Sequence, residues 1–421
     1  MFFVFLSSPF PSHLGQISLA ISELLRRGHK VEVWGDASLE QTANRLGAGF
    51  RLVPLPGALA DQTTGYTPRP RDYYARFAFP LVAHQLPCLL ELCDQHTPDL
   101  IHSNSHIYTA ALASRITGIA CSNHCCSGLS FGLVPEDLYG IRQTGAESQR
   151  KRDLMVTMNR AFHREMDSLF NRTVTEPLRL EPVHNILGLV SGSCVLALSC
   201  PELANLRLAA LPQTVFTGPL LSSLIPPPGA GKEYCYVSLG TWPLDLEATV
   251  ELYRAIIAGI PREYRVVVGL GGRFEPSHLG IDDDRVVIHK YAPQDLLISG
   301  ANLVVCHGGC QTVHEALYFA KPLVMLPPNL TEPREMSDRV AGVGAGLVLD
   351  PHKSSSEDIR RAVVTLCSDD SFRQSAQRLG RSLRSAGGLQ RAVESLERAA
   401  AMPAKRGRNR DARCPAHSEQ E

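Results

Sequence analysis

The sequence predicts an α/β chain made of two doubly wound αβα domains of the Rossmann type. Short apolar runs, typical of strands buried on both faces, alternate with amphipathic helical stretches along most of the 421 residues. A Pro- and Gly-rich segment at residues 226–231 interrupts this alternation, which then starts again. We therefore predict an N-terminal domain over residues 1–225, a linker over 226–232 and a C-terminal domain over 233–400.

The repeating unit is clearest in the first forty residues. They predict, in order, a buried strand, a loop, an amphipathic helix and a second strand, at residues 2–6, 7–15, 17–27 and 31–34. Gly28 follows the predicted helix in the position of a C-cap. A strand, a helix and a strand in this order imply parallel pairing, because antiparallel neighbours need only a short turn.

The alternation continues through both halves of the chain. In the first half, further strands are predicted at residues 50–54, 99–103, 195–198 and 214–216, and helices at 80–93 and 108–117. A polar and mostly helical stretch is predicted over 147–186. In the second half, strands are predicted at 234–239, 264–269, 286–288, 303–306 and 323–326, and helices at 244–258 and 311–319.

Composition and charge exclude several classes of protein. The 42 basic residues balance the 42 acidic ones, which argues against a nucleic-acid binder, since phosphate binding needs a basic surface. No apolar run approaches the length of a membrane span, so no stable membrane insertion is expected.

The 12 cysteines form no C-x-x-C pair, which favours free thiols, a reducing compartment and a cytoplasmic protein. The cysteines of residues 121–126 do not suit one tetrahedral metal ion. The basic residues 401–421 predict a disordered tail.

The strongest chemical signal lies at residues 306–317, which read C-H-G-G-C-Q-T-V-H-E-A-L. They follow a predicted strand and open a helix. The glycines permit close backbone approach, and the helix N-terminus offers unpaired N–H groups and a partial positive charge, which suit a pyrophosphate. Thr312 adds a hydroxyl, and Glu315, one turn later, can accept hydrogen bonds from a diol. The same spacing permits a capping box in which Thr312 and Glu315 cap their own helix.

This stretch resembles the nucleotide-sugar motif of GT-B glycosyltransferases, in particular the bacterial macrolide and natural-product branch of the UDP-glycosyltransferase superfamily. The family motif reads H-G-G-x-x-S/T-x-x-E-A-L, and residues 307–317 match it throughout. Residues 291–294 (Y-A-P-Q) are similar to the family's aromatic-x-P-Q element, and residues 238–241 (S-L-G-T) to its phosphate loop. Residues 321–327 match the strand after the helix, and residues 11–15 lie where the family keeps its catalytic histidine.

The resemblance implies the GT-B fold, in which two Rossmann-like domains face each other across a cleft and the last helix packs back on the N-terminal domain. It implies an inverting and metal-independent glycosyltransferase with no cofactor. The donor substrate would be a UDP- or TDP-sugar, and the acceptor a small, mostly hydrophobic natural product. The chain would act as a monomer or homodimer.

The family's donor-binding roles fall on ten residues of the second domain. By resemblance, His307 contacts the α-phosphate, and Glu315 holds the ribose hydroxyls. The others serve the diphosphate, flank the nucleobase or hold the donor sugar: Ser238, Thr241, Tyr291, Gln294, Gly309, Gln311, Thr312 and Glu332.

The acceptor side depends on His13, which the resemblance makes the general base that takes the acceptor's proton. A neutral imidazole, with an ordinary pKa of about 6.5, suits that task. Asn104 occupies the position of the aspartate that orients this histidine in many family members. Pro333 replaces the glutamine of the family's acidic-Gln pair, next to Glu332. Five aromatic residues either line the acceptor pocket or pack in the core: Tyr73, Tyr74, Phe77, Phe79 and Phe131.

Two other functions remain open from the sequence. Asn104 and Pro333 motivate a non-catalytic GT-B partner protein that binds a nucleotide-sugar or assists another transferase. A different GT-B enzyme, such as a lipid-linked transferase or a sugar-nucleotide epimerase, is disfavoured by the complete E-A-L motif and the P-Q element.

Overall fold

The computed structural model describes residues 1–7, 11–55, 70–105, 107–126, 161–186, 192–204, 212–221, 233–240, 245–328 and 331–402. The side chains at 11, 12, 70, 73 and 331 are not described. Several sequence predictions therefore lie outside the described residues: the linker 226–232, Thr241, the side chain of Tyr73, Phe131 and nearly all of the tail.

The first sheet has the strand order β3-β2-β1-β4-β5-β6-β7. Its strands are β1 Phe2–Ser7, β2 Lys30–Gly35, β3 Gly49–Leu52, β4 Leu100–Asn104, β5 Ala120–Cys125, β6 Cys194–Ala197 and β7 Thr214–Phe216. The pairs β1–β2, β1–β4 and β2–β3 are parallel, as predicted. The strand β4 also pairs in parallel with β5, a strand that the sequence analysis did not predict. The strand β1 is buried along its whole length, which explains its apolar run. The strand β4 is buried as well, although its last three residues are polar.

Helices connect these strands. They are α1 Pro11–Gly15, α2 Ser18–Arg26, α3 Glu40–Leu46, α4 Pro70–Tyr73, α5 Phe79–His96, α6 Tyr108–Thr117 and α7, residues 161–170. The predicted loop over residues 7–15 is wrong at its end, where α1 forms a single helical turn. Five residues are too few to show a helical period, so the pattern could not reveal α1.

The second sheet has the strand order β10-β9-β8-β11-β12-β13, and its neighbouring strands are parallel. Its strands are β8 Tyr234–Ser238, β9 Arg265–Gly269, β10 Val286–His289, β11 Leu303–Cys306, β12 Leu323–Met325 and β13 Gly346–Val348. The chain leaves β8 towards one edge of the sheet and returns at β11 to build the other. The loops after β8 and β11 therefore flank the point where the strand order reverses, which is where such sheets bind ligands.

The helices around this second sheet bury its faces. They are α8 Leu246–Gly259, α9 Gln294–Gly300, α10 Cys310–Tyr318, α11 Thr331–Gly342, α12 Ser356–Ser368 and α13 Asp370–Ser385. The chain then continues into α14 Gly388–Ala400. One continuous core joins β8, β9 and β11 to α8 and α12, with Val237, Ile256, Val268, Val305 and Val363 fully buried. This rigid core holds the loops at the carboxyl ends of the strands.

The chain divides into two compact units. One consists of Met1–Leu196, Leu206–Val215 and Ala392–Glu421, and the other of Ala197–Asn205 and Phe216–Arg391. Most of α14 thus belongs to the first unit, where Glu397 accepts hydrogen bonds from Arg27 and His29, each at 2.9 Å. Among the described residues, none of the helices has the length and apolar character needed to cross a bilayer.

Candidate functional site

The helix α10 begins directly behind a loop of one histidine and two glycines. Gly309 is its N-cap residue, with extended backbone angles, and a glycine has no side chain with which to cap the helix. The capping-box alternative is therefore wrong, because the N-cap residue is a glycine and Thr312 lies inside the first turn. Amide N–H groups that no side chain caps, together with the positive end of the helix dipole, form an anion site.

Glycines in this loop are required by space as well as by backbone angle. Gly308 has φ +81°, and a Cβ there would overlap the Ser337 hydroxyl. A Cβ at Gly309, or at Gly240 in the loop after β8, would overlap the imidazole ring of His307. The ring of His307 therefore lies between two stretches of bare backbone.

His307 is electrically neutral near pH 7. Burial lowers the pKa of its imidazole to about 4, and the nearby Arg273 contributes to the lowering. Its Nδ1 is buried and has no hydrogen-bond partner among the described residues. A neutral imidazole carries a single N–H, and the ring hydrogen-bonds to the Ser238 backbone, so His307 adds no charge of its own to this loop.

Glu315 is the centre of a hydrogen-bonded network. Its buried carboxylate accepts from Gln294 Nε2 at 2.7 Å and from Gln311 Nε2 at 2.9 Å. Gln294 Nε2 also lies 3.3 Å from the hydroxyl oxygen of Thr312. Burial raises the pKa of Glu315 to about 7, while the two glutamine hydrogen bonds act in the opposite direction. The structure thus brings four of the predicted donor-binding residues into contact.

Tyr291 presents an aromatic ring to the solvent beside this network. Its side chain is 74% exposed, and its ring lies so close to Gly272 that a Cβ at that glycine would overlap it. Tyr236 on β8, which the sequence reasoning missed, donates from its hydroxyl to Gln294 Oε1 at 3.3 Å. Tyr236 sits within an apolar strand pattern, so nothing in the sequence distinguished it from a core residue.

The remaining donor-side predictions lie on neighbouring elements. Ser238 is buried at the end of β8 and pairs in register with Cys306, the residue before His307. Glu332 is half-buried in the first turn of α11, and the carbonyl of the next residue, Pro333, lies close to Gly308.

His13 and Asn104 line the same small cavity in the first unit. The cavity has a volume of about 10 Å³ and is also lined by Ser7, His102 and His124. A site of about 10–15 Å³ is the size of one water molecule. The sequence reasoning missed His102 and His124 as site residues. Each lies two positions from another polar residue on its strand, a spacing that places the two side chains on the same face of the sheet.

The aromatic residues proposed for an acceptor pocket are core residues where their side chains are described. Tyr74 and Phe79 are fully buried, and their ring centroids lie 5.1 Å apart. Phe77 is buried in a small cluster with Leu81. The core-packing alternative therefore holds for these three aromatic residues.

Comparisons with known proteins show which enzymes this chain resembles. Residues 264–397 match the family model of the erythromycin biosynthesis protein CIII-like C-terminal domain. The chain is 26% identical over 405 residues to 4'-demethylrebeccamycin synthase of Lentzea aerocolonigenes, covering 89% of this chain and 93% of that protein. It is 30% identical over 132 residues to the uncharacterized UDP-glucosyltransferase YojK of Bacillus subtilis, a match that spans 31% of this chain and only 32% of YojK.

Solved structures share the whole fold. The calicheamicin glycosyltransferase CalG4 superposes with a TM-score of 0.70 at 20% identity, covering 94% of this chain and 98% of CalG4. The glycosyltransferase VinC, solved in complex with dTDP, has a TM-score of 0.68 at 18% identity and covers 95% of this chain and 99% of VinC. The predicted GT-B fold is thus confirmed, and the chain is similar in sequence to glycosyltransferases of bacterial natural-product pathways.

Proposed function

From this similarity, we propose that the chain is an inverting, metal-independent transferase that moves a sugar from a UDP- or TDP-sugar to a small, mostly hydrophobic natural-product acceptor. The observation that carries the proposal is the uncapped N-terminus of α10, which follows His307 and lies beside the Glu315 network. One end of this arrangement suits a diphosphate and the other suits a ribose.

The diphosphate would be held by backbone amides of the first turn of α10 and by the imidazole of His307. Burial makes each of these hydrogen bonds stronger than in water, because the local dielectric constant is low. The helix dipole supplies a partial positive charge of roughly half a unit, which stabilises the leaving diphosphate without a metal cation.

The nucleoside would be held by Glu315 and Tyr291. Each carboxylate oxygen of Glu315 accepts one glutamine N–H and keeps lone pairs for a ribose hydroxyl. The exposed ring of Tyr291 offers a flat face on which uracil or thymine can stack. VinC is a relative in fold that was solved with dTDP, which supports a thymidine or uridine diphosphate as the ligand.

The transfer step would use His13 as the general base. The imidazole takes the proton of the acceptor hydroxyl, and the acceptor oxygen forms a bond to the anomeric carbon on the face opposite the diphosphate. The bond between the anomeric carbon and the phosphate oxygen breaks, and the electron pair leaves with the nucleoside diphosphate. The configuration at the anomeric carbon is inverted in this single displacement.

A thermal-shift series tests the donor half of this proposal. UDP and TDP should raise the melting temperature in the presence of EDTA, and ADP and GDP should raise it less. Stabilisation that depends strictly on added Mg²⁺ or Mn²⁺ would contradict metal-independent binding. Equal stabilisation by all four nucleotides would contradict a pyrimidine site at Tyr291.

The free cysteines support a further part of the proposal. The eleven cysteines of the described residues are all unbridged, and most are buried. Such thiols persist in reducing compartments, so we propose a cytoplasmic location.

A further inference from the structure

A buried chain of hydrogen bonds runs across β4 and β5 behind Asn104. His124 Nε2 lies 3.4 Å from Asn104 Nδ2, His124 Nδ1 lies 2.9 Å from His102 Nε2, and His102 Nδ1 lies 2.8 Å from Ser122 Oγ. All four side chains are buried, with exposures of 6% or less. The pairs Asn104–His124 and His102–Ser122 are direct neighbours in the strand register.

The two imidazole rings are arranged for a hydrogen bond in their common plane. Their planes differ by 12° and their centroids are 5.1 Å apart. This separation equals two ring radii plus one N–H···N bond, so the rings of His102 and His124 meet edge to edge. One ring must donate and the other must accept.

The direction of the chain follows from the charge state and from the Asn104 amide. Burial lowers the pKa of His102 to about 3, so this ring is neutral at any working pH. With Asn104 Nδ2 as the donor, His124 Nε2 accepts, His124 Nδ1 donates to His102 Nε2, and His102 Nδ1 donates to the hydroxyl oxygen of Ser122. Each member then carries one defined tautomer.

We propose that His124, held by His102 and Ser122, is a positioning residue that fixes the Asn104 carboxamide so that its Oδ1 accepts a hydrogen bond from the ring of His13. The proposal rests on the proposed function, in which His13 is the general base. The ring nitrogen of His13 that faces Asn104 then carries the proton, and the other nitrogen keeps its lone pair for the acceptor hydroxyl. The Asn–His–His–Ser chain thus fixes the tautomer of His13, as a single carboxylate at this position would.

The arrangement explains why an amide can stand at this position. A carboxylate has two equivalent acceptor oxygens, whereas a carboxamide must be oriented, since its NH₂ end would offer His13 a donor instead of an acceptor. An amide that can rotate would leave His13 in two tautomers, of which one has its proton on the nitrogen needed for catalysis. The two buried histidines supply the missing orientation.

The tautomer of His13 can be measured directly, without any transfer reaction. In ¹⁵N-histidine-labelled protein, two-bond ¹H–¹⁵N correlation spectra distinguish a protonated ring nitrogen from an unprotonated one, and His13→Asn assigns the signal. We expect one tautomer in the wild type and an average of two in His124→Phe. His29→Phe is the matched control, because His29 contacts Phe3 and Glu397 in the same unit and should leave the His13 signal unchanged.

A second variant protects the test against misfolding. Ser122→Ala removes only a hydroxyl and takes away the acceptor at the end of the chain, so it should favour the reversed direction and shift the His13 tautomer. An unchanged His13 signal in both folded variants, or two averaged tautomers already in the wild type, would overturn the proposal.

Activity adds an independent measure. With UDP- or TDP-glucose and a panel of phenols, His124→Phe should lower kcat by about 10-fold or more, with the KM for the donor unchanged. In the Asn104→Asp background, where no orientation is needed, the same substitution should lower kcat by less than about 3-fold. Equal losses in both backgrounds would contradict the positioning role. Failure of the wild type to transfer any sugar would refute the proposed function, whereas the tautomer experiment would still decide the role of His124.

Discussion

The Glu315 network makes a quantitative prediction for Glu315→Ala. In the structure each carboxylate oxygen already accepts one glutamine N–H, from Gln294 and from Gln311. The substitution leaves these donors and the ribose hydroxyls unpaired in a buried place, which costs about 1–3 kcal/mol for a buried polar group. The Kd for UDP should therefore rise by about 5- to 150-fold, since each 1.4 kcal/mol is tenfold.

Calorimetry at pH 8 is the appropriate assay. Because burial raises the pKa of Glu315 to about 7, its carboxyl group is mostly ionised at that pH. Wild type should bind a 2',3'-dideoxyuridine diphosphate about as weakly as Glu315→Ala binds UDP, and the variant should not distinguish the two ligands. The affinity for TDP, which has one ribose hydroxyl fewer than UDP, should fall less on this substitution. Glu251→Ala is the control, because Glu251 is exposed and pairs with Arg254 at 2.7 Å outside the network.

The reasoning is refuted by either of two results. Wild-type affinity for UDP in folded Glu315→Ala would show that the carboxylate does not hold the ribose. An equal loss for UDP and for its dideoxy analogue would show that the substitution perturbs the helix N-terminus rather than a contact with the hydroxyls.

Three further predictions follow from the same unit. Burial raises the pKa of Glu315 from 4.5 to about 7, so the native state holds this proton more tightly than the unfolded state does. The proton therefore stabilises the native state fully below about pH 4.5, and this stabilisation is lost as the pH rises through about 7. Urea unfolding of Glu315→Gln should therefore show a flatter pH dependence than wild type between pH 5 and 8, and identical slopes would contradict the shift. Gly308→Ala should weaken UDP binding at least about 10-fold, because the added Cβ would overlap its neighbours at a φ that is already unfavourable for alanine. Gly28→Ala is the control: Gly28 has a similar φ of +82° but lies in open space, so this substitution should only lower the melting temperature. Tyr291→Ala should change the free energy of unfolding by less than about 0.5 kcal/mol, since the ring is exposed. It should weaken the binding of UDP by about 1–3 kcal/mol if the base stacks on the ring. An unchanged affinity in calorimetry would exclude stacking.

The sequence predicted most strands because buried parallel strands are apolar along their whole length. The strand β5 was missed for the opposite reason. Its residues, A-C-S-N-H-C, are polar or weakly apolar, and Ser122 and His124 are buried only because β4 supplies His102 and Asn104 as hydrogen-bond partners. A pattern of apolar residues cannot reveal a strand whose burial depends on hydrogen bonds to its neighbour.

The donor side was more predictable than the acceptor side. The strand, the two glycines and the helix of residues 303–318 form a local unit, so its geometry follows from the motif. By contrast, the contact of His102 with His124 on the acceptor side spans 22 residues. Such contacts depend on the order of the strands in the sheet, which the spacing of residues does not specify.

The stereochemistry of transfer, measured together with its dependence on His13, tests the central claim most directly. The protein is incubated in EDTA with an α-linked UDP- or TDP-sugar and a panel of phenols, and the product is identified by its anomeric NMR signal. The account predicts a β-linked glycoside and nucleoside diphosphate in equal amounts, and a kcat about 10²- to 10⁴-fold lower in His13→Ala with the Kd for UDP unchanged. An α-linked product, or wild-type rates in His13→Ala, would contradict it.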